Sequence, residues 1–217
     1  MKTYDTNIPG WMNEKELIIL STLANLVPNN GRILEVGCFL GSSTSALYMG
    51  KHLSVDIDVV DNFELLTPQF LNERPFTDFK FSLGNQEIFN VAKEIALRDG
   101  GQSAFKFCVG EAMYGNINLY PISSKEFIKD KTYDIAFIDA SHKLLDVLHD
   151  INKYDSDGTL LLGDDYGPLY NGIPLALNQT RKNRTLVVFE NTKLWALIPK
   201  HGYWREIFKN TNLLFLD

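Results

Sequence analysis

Two apolar stretches of this chain end in residues that can do chemistry. "YDIAFIDASH" (133–142) runs into Asp139 and, three residues on, His142, while "TLLLGDDY" (159–166) runs into Asp164 and Asp165. Carboxylates gathered from two strand ends repel and raise one another's pKa, so three together are unfavourable unless a cation accompanies them. Asp139, Asp164 and Asp165 offer hard oxygen ligands, which suits Mg²⁺, or Mn²⁺ or Ca²⁺ in its place, with water and substrate oxygens completing the shell. The competing reading is that Asp164 and Asp165 only cap the turn before "YGPLYNG". A hydroxyl bound to such an ion becomes more acidic, and a base within hydrogen-bond reach can take its proton. Histidine suits that task near neutral pH, and the turn through Ala140 and Ser141 lets His142 point back over the strand end. Lys143 is the alternative base. His52, His149 and His201 have no motif around them and read as surface or ordinary structural residues.

The elements that must position these groups alternate. "NEKELIILSTLANLV" (13–27) carries a helical stripe of Leu17, Leu20, Leu23 or Ala24, and Val27. "RILEVG" reads as a buried strand running into glycine, and "SSTSALYMG" as a helix opened by capping hydroxyls. "SVDIDVVD" is a strand, "QEIFNVAKEIALRDGG" a helix stopped by glycines, "NINLYPIS" a strand and "SKEFIKD" a short helix. "YDIAFID" and "TLLLGDD" are strands separated by the helix "HKLLDVLHDINKY". "GIPLALNQTRKN" is a further helix, and "TLVVFE" and "KLWALIP" pair antiparallel across "NT". This alternation predicts an α/β fold with a doubly wound, mostly parallel sheet, laid out as a single domain over residues 1–217.

In such sheets ligands bind beyond the carboxyl ends of the strands, where the strand order reverses. There the first strand ends in "EVGCFLGSST": Glu35, Gly37 and Gly41, then Ser43 and Thr44 at a helix start. Glycine allows close backbone approach, and a helix N-terminus offers free amides to an anionic group. The dinucleotide pattern G-x-G-x-x-G is not met, because Gly37 and Gly41 are four apart and Phe39 occupies the position two after Gly37. A pyrophosphate would meet that ring, which disfavours NAD. The next strand ends at Asp61, placed to accept hydrogen bonds from both hydroxyls of a ribose, or to serve as a plain turn residue.

Composition bounds the remaining classes. The 217 residues are 45% hydrophobic, enough for one substantial core. Cys38 and Cys108 do not make a disulfide framework, so a reducing, cytoplasmic setting is expected. No apolar run approaches the roughly 18 residues of a membrane span, and "MKTYDTNIPGWMNEKE" lacks a signal core. A formal net charge of -6 argues against nucleic acid, and the one basic cluster, "RKNR" (181–184), reads as a solvated helix end.

"ILEVGCFLGSST", Asp61, "FIDASH" and "LLLGDD" together resemble the class I S-adenosylmethionine-dependent methyltransferases. Within them the chain is similar to the metal-dependent O-methyltransferases related to catechol and caffeoyl-CoA methyltransferases, and most to the branch of macrocin-type sugar O-methyltransferases. The resemblance covers about residues 8–200. It implies a seven-stranded sheet ending in an antiparallel hairpin. It also implies that Glu35, Gly37, Phe39, Gly41 and Ser43 lie around the methionine part of the cofactor, that Asp61 holds the ribose, and that Ser124 borders the adenine. Asp139 is shared between cofactor and Mg²⁺, and Asp164 and Asp165 complete the metal set. Catechol-type relatives place lysine where this chain has His142, whereas the sugar-modifying relatives resemble it in using histidine. That shifts the expected acceptor from an acidic phenol towards the aliphatic hydroxyl of a sugar or natural-product intermediate. The stretch between Asp61 and Ser124 is about twice what compact relatives use, so residues around 64–116 form an added cover, an interface or an inert elaboration. "IPGWM" (8–12) is similar to the segment that precedes the first helix in relatives and closes over the cofactor, or else simply packs. Two other classes stay open: a metal-independent methyltransferase of the same fold, and a non-catalytic nucleotide-type binding module. A homo-oligomer is compatible with the sequence.

Overall fold

A computed structural model describes residues 4–73, 81–128, 130–181 and 184–210. The strands β1 (Arg32–Val36), β2 (Asp56–Val60), β3 (Asn118–Tyr120), β4 (Ile135–Ile138), β5 (Leu160–Gly163), β6 (Arg184–Val188) and β7 (Trp195–Pro199) form one sheet in the order β3-β2-β1-β4-β5-β7-β6. The first five are parallel, and β7 runs antiparallel to both β5 and β6. The strand order reverses between β1 and β4, so the loops after these neighbours open a crevice at their carboxyl ends. Glu35 and Asp139 stand there.

The sheet is covered on both faces, which is why its central strands read as continuous apolar runs. Along β4, Ile135 and Phe137 pack with α1 (Glu14–Asn25) and α2 (Ser42–Gly50). The alternate residues Ala136 and Ile138 pack with α6 (Leu144–Tyr154) and α7 (Gly172–Thr180). This is the two-residue period of a strand expressed as two cores.

Several expectations change on contact with the fold. "SKEFIKD" is not a helix where it is described: residues 124–126 form a turn, tied by the Ser123 hydroxyl to Glu126 at 2.7 Å. The elaboration beyond Asp61 contains α3 (Pro68–Glu73), α4 (Gln86–Asp99) and α5 (Gly101–Tyr114). Its Phe89, Ala92, Ala104 and Phe105 are buried in the core shared with α1 and α2. The sequence hid α5 because Gly110 interrupts it, at φ +76°. A final helix, α8 (Tyr203–Asn210), also went unpredicted; it buries Trp204 and Phe208. In the basic cluster Arg184 is no solvated residue. Its guanidinium donates to the carbonyls of Thr159 (2.7 Å), Ser156 (3.0 Å) and Leu197 (3.1 Å) and pairs with Asp155. Among the described residues, no helix is long and apolar enough to cross a membrane.

Candidate active site

Glu35 is fully buried at the end of β1, where its two oxygens accept from the hydroxyls of Ser43 (2.5 Å) and Thr44 (2.6 Å) on the first turn of α2. Burial pushes its pKa up to about 7, although these two hydroxyls favour the charged form and pull the other way. The carboxyl therefore ties the strand end to the helix start, with the glycine turn looped between them. Gly37, at φ +88°, has no room for a side chain, because a Cβ there would strike the carbonyl of Asp139. The glycine turn thus lies directly against the end of β4. Gly41 caps α2 at φ +94° and is filled in from above by Val109 and Phe105 of α5.

Asp61 proves to be a loop cap. Its Oδ2 accepts from the amides of Cys38 (2.7 Å) and Phe39 (2.9 Å), and its Oδ1 from the amide of Phe63 (2.6 Å). A carboxylate has about four acceptor sites, and these amides take three of them. These bonds hold Phe39 at a positive φ of 49°, uncommon for a bulky residue. Its ring packs on Trp11 (4.7 Å between centroids), which in turn meets Phe81 at 5.3 Å. "IPGWM" is accordingly fastened beside the glycine turn: Gly10 bridges to Leu83, and the Ser82 hydroxyl donates to the Trp11 carbonyl at 2.6 Å. Ser124 faces α6, where its carbonyl accepts from Lys153 and its side chain bonds Asp150.

The loops after β4 and β5 bring Asp139, His142 and Asp165 together, with one ligand atom from each within 4.8 Å of the others. His142 Nε2 is 2.8 Å from Asp165 Oδ2, and its ring stacks on Tyr170 at 4.1 Å between centroids. Asp164 stands behind this trio, lining the same small cavity with Asp139 and His142. Its Oδ1 is buried without a partner among the described residues. The Trp195 indole fixes the aspartate turn, donating to the Asp164 carbonyl at 3.0 Å and packing so tightly on Gly163 that no Cβ would fit. Asp165 itself sits at φ +60°, in the left-handed region that aspartate adopts more readily than most non-glycine residues.

Sequence reasoning missed Lys193. Its Nζ lies 2.6 Å from Asp165 Oδ1 and 3.3 Å from Asp164 Oδ2. Burial raises the Asp164 pKa to about 6, with Lys193 opposing and Asp165 adding to the rise. Asp139, half-buried at the strand end, is raised well above the ordinary carboxylate range, by desolvation first and then by the neighbouring Asp164 and Asp165. Burial raises Asp165 too, but its bonds to His142 and Lys193 outweigh that and leave it lowered. The donor set of oxygens, one imidazole and an orphaned buried carboxylate atom fits a divalent cation. His52, His149 and His201 are exposed and away from this cluster.

No protein-family profile and no curated protein matches the sequence. Among solved structures, the chain is similar to a methyltransferase from Geobacter sulfurreducens at TM-score 0.55 and 16% identity, covering 88% of this chain and 81% of that one. It is also similar to an S-adenosylmethionine-dependent O-methyltransferase from Thermotoga maritima, at TM-score 0.52 and 10% identity over 89% of this chain and 68% of that one. A ribosomal-protein methylase from Lactobacillus delbrueckii subsp. bulgaricus matches at TM-score 0.52 and 15% identity, over 86% and 78% of the two chains. The chain therefore has the Rossmann-like fold of these methyltransferases.

Proposed function

We propose that the protein is an S-adenosylmethionine-dependent O-methyltransferase that uses a divalent cation, Mg²⁺ or a substitute, to methylate a hydroxyl of a small molecule, in the first place a sugar or natural-product intermediate. The observation that carries this reading is the contact of the glycine turn at Gly37 with Asp139, which sets a methyl-donor loop directly against a cluster of carboxylates and imidazole. When bound, the donor would supply an electrophilic methyl carbon and the cation would acidify the acceptor hydroxyl. The chain's own groups do the rest. Glu35, Ser43 and Thr44 hold the first turn of α2 in place, and Gly37 and Gly41 let backbone approach the donor's methionine part. Phe39, with Trp11, walls that side. Asp61 fixes the loop and keeps one acceptor site for the ribose, and Ser124 is assigned to the adenine rim. Asp139, Asp164 and Asp165 are the cation ligands.

His142 would take the proton of the acceptor hydroxyl, and the bound donor would supply the methyl group to that oxygen and be released as the neutral thioether. If Nε2–H donates to Asp165, the neutral imidazole presents Nδ1 as its free acceptor, and the carboxylate stabilises the imidazolium that forms. A second reading rests on the same distances: His142 is near enough to Asp139 and Asp165 to be a ligand itself.

The test is turnover of S-adenosylmethionine to S-adenosylhomocysteine with a panel of hydroxylated acceptors, before and after EDTA and with Mg²⁺ restored. Loss on chelation and recovery on addition is expected. Full turnover after exhaustive chelation would leave the metal-independent alternative, and failure to bind S-adenosylhomocysteine would remove the methyltransferase reading. Manganese affinity of His142→Ala separates base from ligand, since only a ligand's loss weakens it.

A further inference from the structure

The carboxylates at the ends of β4 and β5 already have a cation of their own. Lys193 contacts both Asp164 and Asp165, and it is positioned to do so through its backbone. Its amide donates to Glu16 Oε1 at 2.8 Å, and its carbonyl accepts from the Tyr166 amide at 2.9 Å, just past the aspartate turn. Glu16 is fully buried and is itself fixed by a capping box with Asn13 at the start of α1. The main chain at Lys193 is thus pinned from both sides. Its side chain, by contrast, is 42% exposed and hangs on a flexible four-carbon stem. The ammonium can leave for water while the backbone stays.

We infer that Lys193 is a displaceable internal counter-ion of the carboxylate cluster, so that a divalent cation binds in competition with its ammonium. This rests on the metal reading above. An ammonium shared between two aspartates relieves the repulsion that would otherwise oppose folding of the metal-free protein. A doubly charged ion bound to Asp165 would face that ammonium at close range, in a site where charges are only partly screened. Entry of the ion therefore requires Lys193 to swing out, and Lys193 weakens metal affinity while protecting the empty site. Asp164 Oδ1, buried and unpartnered, is the acceptor that Lys193 leaves unserved and that an arriving ion or its water can take up. Lys193 acts through the aspartates and is a positioning residue.

Binding of Mn²⁺ alone to the whole chain, followed by calorimetry and by electron paramagnetic resonance, tests the inference. Lys193→Met should bind Mn²⁺ about two- to fivefold more tightly than wild type, because a partly exposed charge pair no longer has to be broken. Lys193→Arg, which keeps the charge, should bind no more tightly than wild type. Without metal, Lys193→Met should melt at a lower temperature than wild type, and saturating Mn²⁺ should raise its melting temperature by more. If Lys193→Met does not fold, Lys193→Gln carries the same comparison. Equal or weaker Mn²⁺ binding by the neutral variants overturns the competition and leaves the metal site standing. No Mn²⁺ binding by wild type or any variant overturns both.

Discussion

His142 Nε2 and Asp165 Oδ2 are 2.8 Å apart, a contact between the loop after β4 and the turn after β5 that aligns an imidazole with a carboxylate at the mouth of the crevice. If the pair works as a unit, His142→Ala should lower turnover by about 10² to 10⁴-fold, the usual contribution of a general base. Asp165→Asn should also lower it, and the double variant should lose far less than the product of the two effects. Additive losses in kcat/KM would show that the contact is not part of catalysis.

Asp61 accepts from three main-chain amides, so its removal should be felt before any ligand arrives. Asp61→Ala should lower stability by about 2 to 3 kcal/mol, since hydrogen bonds to a charged group contribute more than neutral ones but water can replace part of the loss in this half-buried loop. It should also weaken S-adenosylhomocysteine binding. Urea unfolding beside calorimetry checks both, and weakened binding with unchanged stability would mean that Asp61 serves the ligand alone.

Glu35 makes stability depend on pH. Its folded-state pKa is raised to about 7 by burial, above that of an exposed glutamate, so the stability it contributes is complete below about pH 4.5 and is lost as pH rises through 7. A rise of this size corresponds to about 3 kcal/mol. Glu35→Gln stays neutral throughout, and its amide can still accept from one hydroxyl. The wild-type protein should therefore lose stability relative to Glu35→Gln between pH 5 and pH 8 in urea titrations; a constant difference would show that the carboxyl is ionised at both.

Gly37 and Gly158 share a left-handed backbone but not their surroundings, at φ +88° and φ +89°. A Cβ added at Gly158 would meet nothing within 4 Å, whereas one at Gly37 would run into the Asp139 main chain. Alanine at 158 should cost only the conformational term, about 1 kcal/mol. Alanine at 37 should cost about 2 to 4 kcal/mol and disturb the end of β4 as well. Equal losses in thermal unfolding would show that the glycine turn and Asp139 are not in contact.

Much of this protein was determined by local sequence. Apolar runs ending in carboxylates marked β1, β2, β4 and β5, and the glycines with Ser43 and Thr44 marked the turn into α2, because burial period, φ and capping are set within a few residues. Those same rules fail where the deciding contact is distant. The kink at Gly110 masked α5, whose place is set by packing onto Gly41. Arg184 looked solvated until β6 and β7 laid its guanidinium across the carbonyls of Thr159 and Leu197. Lys193 was invisible for the same reason. Nothing within its hairpin marks it as part of a charged site. Only the antiparallel return of β7 beside β5, with Trp195 paired to Gly163, carries the residues before β7 to the carboxyl end of the sheet. Local chemistry chose which strand ends bear charge, and the tertiary pairing of a reversed strand decided which cation meets them.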